Sequence, residues 1–410
     1  MDVKKLARKE GVNESLVRGG VSNGRIVALS DSCAIGAGLR TKTNANLGCS
    51  QGFSSLKTEM EKAEIAVKYG ADALMDLSVV DVGLRGRLRR FGLPLGSVPV
   101  YDAFAKKEPG EDDFFKAVEA HCKDVDFVTV HCAITKKTSA LARKRLIGVV
   151  SRGGALIARW MAKTGNENPF YEEFDYLLEM LRDKGVALSL GDALRPGALA
   201  DADDAAQEAE LRINGALVKR ARKAGVAVFV EGPGHMPINK IAPHVKHMKI
   251  IGGNAPYFVL GPLVTDVGAS QDHITAAIGG AIAGAAGADF LCYVTPSEHL
   301  SFPDKEDVRE GVIAARIAAH AADIAKGVAG ARELDEKMSK ARANLDWKTQ
   351  FALSFDPEAC KLYRSSRPPA CGNACSMCGE FCAVKVFKES CSKAVASKSK
   401  AVVRTSLLKQ

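Results

Sequence analysis

Nine short apolar, β-branched runs alternate with amphipathic stretches along most of this chain, and that alternation limits the folds open to it. The runs are TNANLG (43–48), LMDLS (74–78), VPVY (98–101), VTVHC (128–132), GVVSRGG (148–154), LSLGDALRPG (188–197), VFVEGPGH (228–235), VLGPLVTD (259–266) and LCYVTPSEH (291–299). Helix-like patterns such as LKTEMEKAEIAVKYGAD and YEEFDYLLEMLRDKG separate most of them. Strands alternating with helices of this length make βαβ units and a parallel sheet. Asn, Asp, Tyr, His, Ser-Arg, Asp-Arg and Glu-His recur at the C-terminal ends of successive runs. In a closed barrel all those ends converge on one face, whereas an open doubly wound sheet gathers ligand groups at one or two strand ends. The expected fold is therefore α/β, a (β/α)8 TIM-type barrel. Nine runs are one too many, and periodicity does not say which is surplus.

The organisation follows from composition. An N-terminal segment (1–40) precedes the barrel (41–305). Alanine-rich stretches with helix-forming Lys, Arg and Glu make a helical C-terminal region (306–366). Pro368-Pro369 marks a break before a flexible cluster-binding tail (367–410) with a disordered end.

The net charge of +9 looks like a nucleic-acid signal, but the excess sits largely in the tail and in Arg85–Arg90, where aromatics are too few to stack bases. No nucleic acid is expected, and neither a membrane span nor a secretory signal is present in the sequence, so the expected location is cytoplasmic. Eleven cysteines then call for metal or redox chemistry rather than disulfides. Six of them, Cys360, Cys371, Cys375, Cys378, Cys382 and Cys391, fall in the last 51 residues.

Within that group, Cys375-Ser-Met-Cys378-Gly-Glu-Phe-Cys382 has the spacing to wrap one face of a [4Fe–4S] cluster and leave its fourth iron open. An open iron is what S-adenosylmethionine needs in order to chelate. Cys371 would complete a four-thiolate zinc site instead, and spacing alone leaves the two open.

CSMCGEFCAVK closing a chain that contains NANLG, MDLS, SRGG, LSLGDALRPG, EGPGHMP, GPLVTD, DHITAAIGGA and CYVTPSEHL resembles the ThiC family over about residues 36–385. That family comprises the phosphomethylpyrimidine synthases and the 5-hydroxybenzimidazole synthases. The resemblance implies a radical S-adenosylmethionine enzyme acting on 5-aminoimidazole ribotide, with a [4Fe–4S] cluster on Cys375, Cys378 and Cys382, an external electron donor and a homodimer. It places the ribotide on Asn46, Met75, Tyr101, His131, Ser151, Arg152, Gly153, Asp192, Arg195, Glu231 and the position of Phe258. It gives His131, Asp192 and Glu231 the chemistry, and a Zn2+ or Fe2+ ion to His235 and His299. Read singly these residues are ordinary: a strand-end His is usually structural, Met75 is a core side chain by default, and SRGG is a plain turn. Joint placement at strand ends and the motif match favour function. His244 and His247 read as helix-surface residues, Asp272-His273 as loop-shaping, and DADDAAQEAE (201–210) as a solvated helix start.

Four departures from the family pattern stand beside the expected substrate: MDLSVVD (75–81), Ala193 for Gly, APYF with Phe258 for Tyr, and GASQDHIT (268–275) with Ser270 and Gln271. They tilt the expected product toward 5-hydroxybenzimidazole, with the phosphorylated pyrimidine of thiamine synthesis as the alternative. Two readings of another class are an inactive nucleotide-binding barrel and a zinc-stabilised binding module.

Overall fold

The computed structural model describes residues 2–50, 52–79, 83–106, 108–369 and 372–390. Val80, Asp81, Cys371, Cys391 and the expected disordered end lie outside them. The chain forms two compact units, Met1–Ala331 and Arg332–Gln410.

The first unit opens with helices Val3–Glu10 and Glu14–Ser22 and an antiparallel hairpin, β1 (Ile26–Ser30) and β2 (Cys33–Gly36). Leu6, Val17, Ile26, Ala34 and Leu39 give this segment its own small core. Eight strands follow: β3 (Lys42–Leu47), β4 (Ala73–Asp76), β5 (Leu95–Ser97), β6 (Phe127–Val130), β7 (Ala187–Leu190), β8 (Val228–Gly232), β9 (Tyr257–Leu260) and β10 (Phe290–Cys292). They pair in parallel in chain order, and β10 pairs with β3 to close the barrel.

The surplus run is GVVSRGG. Gly148 takes a positive φ of 78°, and the chain runs as a loop into helix Arg152–Thr164, where the Ser151 hydroxyl caps the helix by accepting from the Gly154 amide. VPVY also falls just outside its strand. β5 stops at Ser97, and Pro99, lacking an amide hydrogen, precedes the short helix Val100–Ala103 that carries Tyr101.

Four phenylalanines fill the barrel: Phe127, Phe229, Phe258 and Phe290, from β6, β8, β9 and β10. Phe258 stacks on Phe290 with ring centroids 4.2 Å apart, and Phe127 and Phe229 meet edge-on at 5.5 Å. Burying each ring contributes roughly 1.5–3 kcal/mol. Gly96 on β5 makes room for them, because a Cβ there would stand 2.1 Å from the Phe127 ring.

The compact unit extends past the boundary expected at residue 305 because helix Lys305–Lys326 packs on β3, β10 and helices Leu56–Lys68 and Asp272–Ala286. It is the eighth helix of the barrel. Three of the four arginines from Arg85 to Arg90 are paired in place: Arg85 with Asp76 and Asp102, Arg89 with Asp126 and Arg90 with Glu64. Among the described residues no helix is long and apolar enough to cross a membrane.

A buried ion pair ties the N-terminal segment to the barrel. Lys42 Nζ lies 2.7 Å from Glu10 Oε2, with both side chains under 4% exposed, and also donates to the Arg40 carbonyl at 2.9 Å. Removing one partner strands the other charge in the interior. Glu10→Ala is expected to cost about 3–5 kcal/mol in urea unfolding, and the double change Glu10→Leu/Lys42→Met much less.

In the second unit the helical C-terminal region contains helices Ala331–Ala343 and Trp347–Leu353, parted where Leu345 has a φ of 53° and Asp346 caps the second helix. Helix Pro357–Ser366 follows. Trp347 Nε1 donates to the Asn373 carbonyl at 2.8 Å, and the Arg364 guanidinium lies 3.8 Å from the Trp347 ring centroid. The segment just before the three cysteines is thereby anchored to these helices.

Candidate active site

The polar strand ends do converge. Asn46, Met75, Tyr101, His131, Asp192, Arg195, Glu231 and Phe258 line one pocket of about 520 Å³, floored by the phenylalanines. Asn46, Met75, Glu231 and Phe258 stand on β3, β4, β8 and β9, while His131 and Asp192 follow β6 and β7 directly.

The remaining expected substrate residues flank this pocket. The Arg152 guanidinium sits 5.2 Å from the Tyr101 ring centroid. Gly153 presses on His131: a Cβ there would be 2.4 Å from its Cε1, and one at Gly191 would be 2.9 Å from its Cδ2. The imidazole is held between two glycines because nothing larger fits. Ser151 is buried at the head of helix Arg152–Thr164, beside the amides that a helix N-terminus offers to an anion.

Charge in the pocket is set by burial. It pushes the Asp192 carboxyl up to about 7, against the pull of Arg195, whose Nη1 donates to Asp192 Oδ1 at 2.8 Å. It also holds His131 down at about 3, a neutral imidazole whose buried Nδ1 has no hydrogen-bond partner among the described residues. A buried unpaired nitrogen is costly, and in a pocket it is a place for a ligand atom.

Several lining residues had no signal in the sequence. Thr129 and Ser189 donate to Glu231 Oε1 at 2.7 and 3.0 Å, orienting that carboxylate. Cys292, outside the C-terminal cysteine group, also lines the pocket. Asn46 Nδ2 donates to its sulfur at 3.1 Å, and burial pushes the thiol up to about 12. Only the inward parity of β10 could have marked it.

His235 and His299 come together, their ring centroids 5.3 Å apart. His299 has a positive φ of 63°, and its Nδ1 is 3.2 Å from Asp272 Oδ2. Asp272, expected only to shape its loop, fixes the orientation of that ring and leaves Nε2 for a metal. His235 contacts the Pro196 carbonyl and lies 4.0 Å from Asp266. Two imidazoles are a sensible partial donor set for Zn2+ or Fe2+. Among the described residues no three His, Cys, Asp or Glu side chains are already gathered around one metal position.

The cysteine motif belongs to the second unit. Cys375 is partly buried, Cys378 exposed and Cys382 buried. Gly379, at a φ of 52°, turns the chain between them, and its amide donates to the Cys375 carbonyl at 2.9 Å. The Cys378 amide, followed by that of Met377, holds the Cys375 thiol below its ordinary range. The neighbouring Cys375 in turn pushes the Cys378 thiol up, so Cys375 is the thiol with thiolate character, which suits iron.

The profile of the Radical SAM ThiC family matches residues 1–389. The chain belongs to the Radical SAM ThiC family. Its relatives include the phosphomethylpyrimidine synthase of Dehalococcoides mccartyi (strain CBDB1), 51% identical over 409 residues and covering 95% of each chain. Those of Desulforamulus reducens, at 48% with 94% of each chain covered, and Methanopyrus kandleri, at 49% with 94% of this chain and 95% of that one, carry the same name. Membership implies a [4Fe–4S] cluster and S-adenosylmethionine. The same relatives give no support to the tilt toward 5-hydroxybenzimidazole.

The positions of the departures from the ThiC pattern agree with that. Ala193 is fully buried and faces away from the pocket, packed behind Gly154. Ser270 and Gln271 are exposed on the loop before helix Asp272–Ala286. Tyr257 points out of the barrel, its hydroxyl 2.9 Å from His244 Nε2, so the hydroxyl absent from Phe258 is not restored in the pocket. Among the described residues of these departures, Phe258 is the substituted position that lines the site.

Proposed function

We propose that this chain is a phosphomethylpyrimidine synthase, converting 5-aminoimidazole ribotide to the hydroxymethylpyrimidine phosphate of thiamine synthesis. The observation that carries the reading is the single pocket that gathers Asn46, Met75, Tyr101, His131, Asp192, Arg195 and Glu231, in a chain about half identical over its full length to proteins of that name.

The Ser151–Gly154 turn and Arg195 are the seat for the anionic end of the ribotide, since backbone amides, a hydroxyl and a guanidinium are the groups that bind phosphate. Glu231, held by Thr129 and Ser189, accepts hydrogen bonds from ribose hydroxyls or the ring amine. His131 presents an unpaired Nδ1, and Asp192, poised near neutrality, exchanges protons with the rearranging sugar. The phenylalanine floor and Phe258 exclude water beneath the ring. A [4Fe–4S] cluster on Cys375, Cys378 and Cys382 would supply the one-electron cleavage of S-adenosylmethionine to a 5′-deoxyadenosyl radical. Zn2+ or Fe2+ on His235 and His299 would supply a Lewis acid for the amino-acid part of that cofactor.

The test is an anaerobic incubation of reconstituted protein with the ribotide, S-adenosylmethionine and a strong reductant, read by mass spectrometry. The phosphorylated pyrimidine is expected. A mass for 5-hydroxybenzimidazole would replace the product assignment, and 5′-deoxyadenosine with neither product would remove the ribotide.

Gly153→Ala probes the seat of His131. A methyl group would displace the ring by about an ångström, and kcat/KM for the ribotide is expected to fall roughly ten- to hundredfold. Iron content should stay at the wild-type level, as checked by metal analysis alongside steady-state kinetics.

A further inference from the structure

Asp192, Arg195 and Glu231 form one wall of the pocket, and they also line a second, partly open cavity of about 230 Å³. Its far side is polar. Glu210, on helix Ala205–Lys223, is 4% exposed, and its two oxygens accept from the Leu194 amide at 2.9 and 3.0 Å. Asn214 turns a buried Oδ1 with no hydrogen-bond partner among the described residues toward the same region. Tyr257 is fully buried on the outward face of β9, with its hydroxyl 2.9 Å from Nε2 of His244. Gly232 lets that hydroxyl reach the wall, since a Cβ there would stand 2.4 Å from it. One turn along helix Ile238–Ile251 from buried His244, the half-exposed His247 pairs with Glu208 at 3.2 Å.

Apolar side chains would fill this space at less cost than a buried carboxyl, amide, phenol and imidazole. The cavity is polar, with room for about one ordered water, and its lining includes Asp192, Glu210, Tyr257 and His244. We propose that Glu210, Tyr257 and His244 are a proton relay that connects Asp192 to the surface pair His247–Glu208. The proposal rests on the reading of Asp192 as the group that exchanges a proton with the ribotide. The relay residues do not touch the substrate; they act through Asp192.

The electrostatics suit the task. Burial and the neighbouring Asp192 hold Glu210 well above the usual carboxylate range, which favours its protonated form, and burial holds His244 at about 4, a neutral imidazole at neutral pH. The charged or titratable groups around Asp192 are Arg195 and Glu231, with Glu210 and Tyr257 behind; around His244 they are Asp203, His247 and Glu208. When Asp192 releases a proton into the cavity, Glu210 takes it on one oxygen and gives up its own. The phenol of Tyr257 accepts that proton while passing its own to His244 Nε2, and His244 loses its Nδ1 proton toward the surface. One proton crosses and no electron moves; Glu210, Tyr257 and His244 end neutral, and Asp192 is left as a carboxylate beside Arg195.

Reconstituted full-length chain is compared with Tyr257→Phe, which keeps the ring, and Glu210→Gln, which keeps an acceptor for the Leu194 amide. The expected result is a fall in kcat for the pyrimidine of about tenfold or more, an unchanged KM, more 5′-deoxyadenosine per product and a larger solvent deuterium isotope effect. Wild-type kcat in both variants overturns the relay, as does lowered kcat with an unaltered isotope effect. A measurement without turnover guards against misfolding: in the cluster-free chain the His244 ring NMR signal should follow the titration of Asp192, and lose that dependence in Tyr257→Phe. An indifferent His244 signal overturns the relay even where product forms. A coupled signal in a wild type that makes no product supports the relay and overturns the ribotide reading instead.

Discussion

Replacing any one of Cys375, Cys378 or Cys382 by Ala is expected to remove 5′-deoxyadenosine and product formation down to background. The three thiols fall within eight residues, and a [4Fe–4S] cluster held on three corners has no protein ligand in reserve. Their roles differ in kind. The amides of Cys378 and Met377 stabilise the Cys375 thiolate, so its loss takes away the thiol readiest to bind iron. Cys378 is exposed and Cys382 buried, so the motif has to bring a solvent-facing and an inward-facing sulfur onto one cluster. Iron and sulfide analysis after anaerobic reconstitution, with electron paramagnetic resonance of the reduced protein, reads the outcome directly. Cys360→Ala, in helix Pro357–Ser366 outside the motif, is the control and should keep a full cluster. Unfolding of the barrel should shift by no more than about 0.5 kcal/mol in all four variants, which separates loss of metal from loss of fold. A full complement of iron in Cys382→Ala would make that buried sulfur a structural thiol and leave the cluster short of its third ligand.

The barrel was legible because its eight strands each end in chemistry and are spaced by helix-length stretches. What misled was local likeness: Val149-Val150 after Gly148 has the composition of a strand, yet it leads to Ser151, the cap of helix Arg152–Thr164. Inward or outward facing was the harder problem. The Asp-rich stretch 201–210 does begin a helix, capped by Asp204, but Asp201 is 5% exposed and accepts from the Leu146 and Ile147 amides, and Glu210 is buried behind the pocket. A carboxylate reads as solvated unless its partner is known, and here the partners are backbone amides distant in sequence. His244, expected on a helix surface, is buried for the same reason: its partner is the hydroxyl of Tyr257 on a neighbouring strand. Asp272 and His299 likewise meet only once β9 and β10 lie side by side.

Asp192→Asn should stabilise the folded chain at pH 8 while lowering product formation by about a hundredfold or more. Burial raises the Asp192 carboxyl from its ordinary 3.8 to about 7 in the folded chain. Below pH 4 the carboxyl is protonated whether the chain is folded or not, and its stabilising contribution is fully present. Between pH 4 and pH 7 the unfolded chain releases this proton while the folded chain keeps it, so stability falls as pH rises. Above pH 7 both states are ionised and the penalty is constant, at about 4 kcal/mol for a shift of roughly three pH units. The asparagine has no proton to release and its carbonyl still accepts from Arg195, so the variant escapes this penalty. Its advantage should be largest at pH 8, shrink through pH 6 and vanish near pH 4, as measured by urea unfolding of variant and wild type in parallel. Glu210 is raised by burial in the same direction, but it is present in both proteins and cancels in the difference except where it feels the charge of Asp192 itself. An advantage independent of pH would mean that Asp192 titrates as an ordinary carboxylate, and it would then be fully ionised at neutral pH with no proton to exchange. A pH-dependent advantage paired with lost product would show that the chain keeps a destabilising carboxyl in its pocket because the chemistry needs it.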